Sequence, residues 1–207
     1  MSVFESRPAL TLGSLGALSG FIGAIAIGPN FGAAPGPGLY LTLVGVWFAL
    51  VMGIAVWRYG DRSPAAAVLA AATTWLAWEL AVNVALLIDP LVSSMSSIAG
   101  VIAGAVGALV TWSGVAAALP QLRSRSLAWP IVAAGAVMGA LLPLTNTFDS
   151  GVALLVPWQA AVAAMIGAGI ATVRSRDGEP LRGSPSQPTR NAFNALPAVT
   201  GGYWRAV

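Results

Sequence analysis

The sequence predicts an all-α, polytopic integral membrane protein: six transmembrane helices in three hairpins, with both termini on the cytoplasmic side. Three observations carry that prediction. Of 207 residues, 57% are hydrophobic and 8% charged, where a soluble domain has about 25% charged residues, and the mean hydropathy is +0.80. Apolar stretches of roughly twenty residues, the length that crosses about 30 Å of hydrocarbon, recur six times. The basic residues fall on alternate connections, as they do when cytoplasmic loops collect positive charge.

The first stretch, 9–28, follows Ser6-Arg7-Pro8 and carries Gly16, Gly20, Ala24 and Gly28 at every fourth position. Lipid provides no hydrophobic drive between helices, so close backbone approach at small residues does that work. A cleaved signal peptide would share the arginine and the apolar run, but no clear small-x-small site precedes a polar mature sequence. An uncharged Gly/Pro-rich connection leads to the second stretch, 39–57, with Gly45, Ala49 and Gly53. Arg58 and Arg62 then precede the third, 65–88, which contains Trp75, Trp78, Glu79 and Asn83.

Asp89-Pro90 reads as a tight turn into the fourth stretch, 91–119, whose length predicts a tilted helix or a serine-rich interfacial start. Its small residues include Ser96, Gly100, Gly104 and Ala108. Arg123 and Arg125 precede the fifth, 127–145, with Gly135, Gly139 and Pro143; Asp149 precedes the sixth, 152–173, with Pro157, Ala160, Ala164 and Ala168. Residues 1–8 form the N-terminal segment, and 174–207 form a polar basic tail with five Arg and four Pro. That composition predicts disorder in isolation, or order only against a partner.

All ten basic residues are arginine. Placing Arg7 inside puts every arginine on the cytoplasmic side and leaves Asp89 and Asp149 on connections without positive charge, as in a bacterial-type inner membrane protein. Trp57, Trp129 and Trp158 lie near helix ends and read as residues of the interfacial belt. Trp47, Trp75, Trp78 and Trp112 lie deeper and read as packing residues.

The absence of Cys, His and Lys removes much catalytic and cofactor chemistry. Disulfides, thiolate nucleophiles, Ser-His-Asp triads, the common zinc sites, histidine ligation of haem or chlorophyll, and Schiff bases are all excluded. No enzyme activity, cofactor, metal or nucleic-acid partner is therefore expected, whereas bound lipid is compatible with the composition. The Asn-Pro-Ala pair of aquaporins, the paired aspartates of intramembrane aspartyl proteases and the serine-histidine dyad of rhomboids are missing. Residues 45–58 and the Trp-rich 75–83 resemble in composition the tryptophan-rich sensory proteins. That family has five helices, and its tryptophan and proline pattern is not matched here.

Glu79 is the acidic residue farthest from any helix end. It lies about 21 Å along its helix at 1.5 Å per residue, somewhat beyond the midplane, where a carboxylate costs about 3 kcal/mol to insert. Asn83 follows one turn later, and Gln159 and Thr145 fall at similar depth. In one reading Glu79, Asn83, Gln159 and Thr145 line an outward-facing polar site. In the other, a protonated Glu79 ties its helix to a neighbour.

Gly16, Gly20, Gly100, Gly104, Gly135 and Gly139 are the candidate helix-packing positions. The sequence thus predicts a non-catalytic subunit of a larger membrane complex, joined to other membrane subunits through small-residue faces and the tail. The alternative is a small transporter or channel for a proton, a cation or a small polar solute, with its site around Glu79.

Overall fold

The computed structural model describes residues 7–27, 43–92, 96–148 and 151–177, and every regular element among them is helical. The helices are α1 (Pro8–Ile27), α2 (Gly45–Tyr59), α3 (Pro64–Val92), α4 (Ser96–Ala118), α5 (Arg125–Gly139), α6 (Leu142–Phe148) and α7 (Val152–Asp177), with a 3-10 turn at Pro120–Leu122. Five stretches are long and apolar enough to cross a membrane: Pro8–Ala26, Pro64–Ile88, Ser97–Ala118, Arg125–Thr145 and Val152–Ser175. A sixth apolar helix, Gly45–Tyr59, is shorter, about 22 Å at 1.5 Å per residue. The tail from 178 onward, the 28–42 connection and residues 93–95 lie outside the described residues.

Local chemistry explains the helix ends. Pro8 and Pro64 open α1 and α3, where a missing N–H is no loss because the first-turn donors lack intrahelical partners. Ser63 caps α3, its hydroxyl accepting the Ala66 N–H at 3.3 Å. The fifth predicted span is broken in two. Pro143 has no N–H to give the Gly139 carbonyl, and its ring crowds that same carbonyl, so α5 ends at Gly139 and α6 starts at Leu142.

Two further boundaries differ from the sequence reading. Asp89-Pro90 does not turn the chain: α3 continues through it to Val92, and α4 begins at Ser96 instead of 91. A proline ring fixes φ near the helical value, so in a last turn it removes one hydrogen bond without forcing an immediate stop. Helix α2 ends at Tyr59, so Arg58 is helical, and α7 runs on to Asp177, one turn beyond 173.

Neighbouring helices close a ring in the order α1, α2, α3, α4, α5, α7 and back to α1. The most extensive interface joins α1 to α7, whereas α1 touches α2 much less. The α1 and α7 chains run antiparallel, with Gly16 against Gln159, Gly20 against Leu155, and Gly167 against Pro8 and Ala9. Inside the ring, Leu12, Phe48, Met52, Val115, Ile131, Val162 and Ile166 form the main core, and Ala24, Val44, Trp78 and Leu155 form a second cluster toward the other end.

Large apolar side chains point outward, among them Leu18, Phe21, Leu50, Ile54, Leu76 and Leu87. Beside the large core residues, small and polar ones such as Ala77, Ala99, Thr74 and Gln159 are buried, an arrangement suited to a lipid surround in which close backbone packing holds helices together.

Six arginines among the described residues collect at one end of the ring. Gly60 lies against Leu119, Gly169 against Leu122 and Leu127, and Gly167 against Pro8, while Arg174 stacks on Tyr59. These contacts bring Arg7, Arg58, Arg62, Arg123, Arg125 and Arg174 to the same level.

Candidate functional site

Glu79 is 3% exposed, within the third apolar span. One turn on, the Asn83 amide donates to the Glu79 carbonyl oxygen at 2.7 Å, which satisfies a side-chain donor within the helix and holds Asn83 on the face it shares with Glu79. Trp78, next to Glu79 in the chain, is itself buried and packs on Gly45 of α2, where a Cβ would come within 2.6 Å of the indole. Helix α2 therefore starts directly over the turn that carries the carboxyl.

Gln159 is 0% exposed. Its Oε1 accepts a hydrogen bond from Ser19 at 2.6 Å across the α1–α7 interface, and the Ser19 hydroxyl also lies 2.8 Å from the Gly16 carbonyl oxygen. Gln159 Nε2 has no hydrogen-bond partner among the described residues. Exchanging the amide oxygen and nitrogen would let Nε2 donate to Ser19 and Ser19 donate to Gly16, leaving Oε1 as the unpaired atom instead. Either way, one end of a fully buried amide is unsatisfied.

Thr145 is buried in α6 and donates to the Leu142 carbonyl oxygen at 2.6 Å. The four polar residues sit on three elements. Glu79 and Asn83 belong to α3, Gln159 to the α1–α7 seam, and Thr145 to the short helix packed on α4 and α7.

The packing glycines are placed in pairs. A Cβ at Gly16 or Gly20 would come within 2.5 Å of a carbonyl oxygen on α7. On the other side of the ring, Gly100 and Gly139 face each other backbone to backbone, as do Gly104 and Gly135. The carbonyl freed by Pro143 is that of Gly139, and it lies against Gly100.

Trp158 is not a belt residue. It is 5% exposed, packs edge-to-face on Phe48 with centroids 5.7 Å apart, and reaches Gly107 of α4. Trp129 and Trp57 do face outward, and so does Trp47, which the sequence reading places in the interior.

Ser19 and Arg123 escape the sequence reading. Ser19 stands three residues after Gly16 and one before Gly20 on the small-residue face, which is the signal that could have marked it. Arg123 donates from Nε to the Ala116 carbonyl at 3.0 Å and from Nη2 to Ala117 at 3.1 Å, capping carbonyls at the end of α4. Among the described residues, no three acidic, histidine or cysteine side chains group to hold a metal ion. No family model, no curated protein and no solved structure matches this chain.

Proposed function

We propose that this protein is a small multi-pass membrane protein, of a bacterial-type inner membrane with both termini inside, that conducts a proton, a cation or a small polar solute through a site around Glu79. The carrying observation is the carboxyl itself, 3% exposed within a span apolar enough to cross a membrane. An ionisable group at that depth costs several kcal/mol and commonly marks a translocation path.

Proteoliposomes with an entrapped pH dye test the reading, using an imposed potassium gradient with valinomycin as driving force. Wild type acidifies or alkalinises the lumen faster than empty vesicles. Glu79→Gln, which keeps shape and hydrogen-bonding capacity, elutes and melts like wild type but loses the flux about tenfold or more. Wild-type flux equal to that of empty vesicles, or equal flux in the two proteins, overturns the proton reading; the same comparison with an entrapped sodium-sensitive dye and with radiolabelled polar solute decides the cation and solute readings.

The other account, a non-catalytic subunit of a larger membrane complex, loses its small-residue faces as docking surfaces, since α1, α4, α5 and α7 spend theirs on one another. It then depends on the tail. Truncation after Asp177, followed by gentle extraction and mass spectrometry for lost subunits, tests it separately.

A further inference from the structure

Two buried polar groups on different helices of the ring have no hydrogen-bond partner among the described residues: the Thr111 hydroxyl of α4 and the Trp158 indole N–H of α7. Both side chains are enclosed, Thr111 at 0% exposure and Trp158 at 5%. Thr111 also behaves unlike the other threonines. Thr11, Thr73, Thr74, Thr145 and Thr172 each donate to a carbonyl three or four residues back in the chain, at 2.6–3.3 Å. The Thr111 hydroxyl forgoes that bond and keeps its hydrogen to give elsewhere.

The two groups converge on one turn of α4. Gly107 and Gly114 pack on α3, whereas Gly104 and Ala108 pack on Gly135 of α5. Thr111 lies between those two faces and opposite the outward Ile102 and Leu109, so it faces the ring interior. A helical side chain covers the turn before its own Cα, which for Thr111 is the turn of Gly107. The Trp158 indole reaches that same turn, its Cζ2 3.0 Å from where a Gly107 Cβ would stand. Cζ2 belongs to the edge of the indole that carries Nε1. Ala108 and Val115, one turn to either side of Thr111, share a single apolar core cluster with Trp158, Phe48 and Val162.

Polar groups that converge inside an apolar enclosure without bonding each other call for a small bridging guest. Its chemistry follows from theirs. The indole is a donor only, so the guest accepts a hydrogen bond, while the hydroxyl can give or receive one. The N–H hydrogen repels a cation. An anion would lie more than two turns of α7 from Gly167, which meets Pro8 at the arginine end. Water is neutral, small, and both donor and acceptor.

We propose that one water molecule is seated inside the ring at the Gly107 turn, accepting from Trp158 Nε1 and bonded to the Thr111 hydroxyl. It ties α4 to α7 through the interior, where the two helices share little direct contact. The site uses no residue of the Glu79 region, so it stands or falls separately from conduction.

The test is nuclear magnetic resonance of the full chain in detergent, with nitrogen-15 in the indoles. The eight tryptophans give separate N–H signals, and Trp158→Phe identifies its own; if that variant does not fold, Phe at each of the others leaves Trp158 by elimination. Wild type shows a nuclear Overhauser cross-peak between the Trp158 N–H and water. Thr111→Val, which keeps the shape and deletes the hydroxyl, loses the cross-peak and melts about 2–4 °C lower, and Thr111→Ser retains the cross-peak. A dry site predicts the opposite shift, because valine then removes an unsatisfied hydroxyl and raises the melting temperature. Absence of the cross-peak in wild type, its survival in Thr111→Val, or a higher melting temperature of that variant overturns the proposal.

Discussion

Ser19 on α1 donates a hydrogen bond to Gln159 on α7 at 2.6 Å, where Gly16 lets the helices approach to within van der Waals contact of their backbones. This bond is the polar fastening of the most extensive interface in the fold. Ser19→Ala leaves a buried amide with neither end bonded and should cost about 1 kcal/mol. Gln159→Leu removes the amide altogether, and Ser19 keeps the Gly16 carbonyl as acceptor, so it should be close to neutral. A double-mutant cycle in detergent unfolding checks both, and the double variant should lose less than the single Ser19→Ala.

The α4–α5 seam should not tolerate a side chain at Gly100. A methyl group at Gly100 would be driven into the Gly139 carbonyl, so Gly100→Ala should destabilise by about 1–3 kcal/mol through overpacking. Gly169→Ala makes the contrast, since its Cβ would meet Leu122 at 3.5 Å, an ordinary contact. It should be neutral or stabilise by up to about 1 kcal/mol through helix propensity. Melting temperatures of the two variants, measured side by side, should move in different directions or by clearly different amounts.

Trp158 and Trp129 should part company under the same substitution. Trp158 is enclosed by Phe48 and Gly107, and Trp158→Ala should cost about 3–5 kcal/mol. Trp129 is 72% exposed, and Trp129→Ala should cost less than about 1 kcal/mol. Fluorescence quenching by brominated lipid gives a second reading: loss of Trp129 should remove quenchable signal, and loss of Trp158 should not.

Arg123 should matter for stability as well as orientation. Its two donors cap the Ala116 and Ala117 carbonyls, and a lysine cannot reach both from one rigid fork. Arg123→Lys keeps the topology charge and should still destabilise by about 1 kcal/mol, a loss that hydrogen exchange should localise to the last turn of α4.

Much of the architecture is legible in the residues. Pro8 and Pro64 mark helix starts that the fold uses, and the four-residue spacing of Gly16 and Gly20, and of Gly100 and Gly104, marks faces that meet other helices. Two prolines show where such reading stops. Pro143 breaks its helix and Pro90 does not, because a proline near the last turn loses one hydrogen bond, whereas Pro143 forces apart two segments whose neighbours, Gly100 among them, accept the bend. The candidate site was readable as a set of depths. The Gln159–Ser19 bond was not, since equal depth says nothing about which neighbouring helix a side chain meets.

The low charge and the recurring apolar stretches by themselves determined several helices apolar enough for a membrane, and the spacing of the arginines between them. Only the tertiary structure decided that α1 lies along α7, that Trp158 points inward and Trp47 outward, and that Gly16 and Gly20 meet α7 while Gly100 and Gly104 meet glycines of α5. The physical reason is that lipid and protein interior are equally apolar, so hydropathy has no azimuth here: it marks how deep a residue sits, and packing of small residues decides which way it faces.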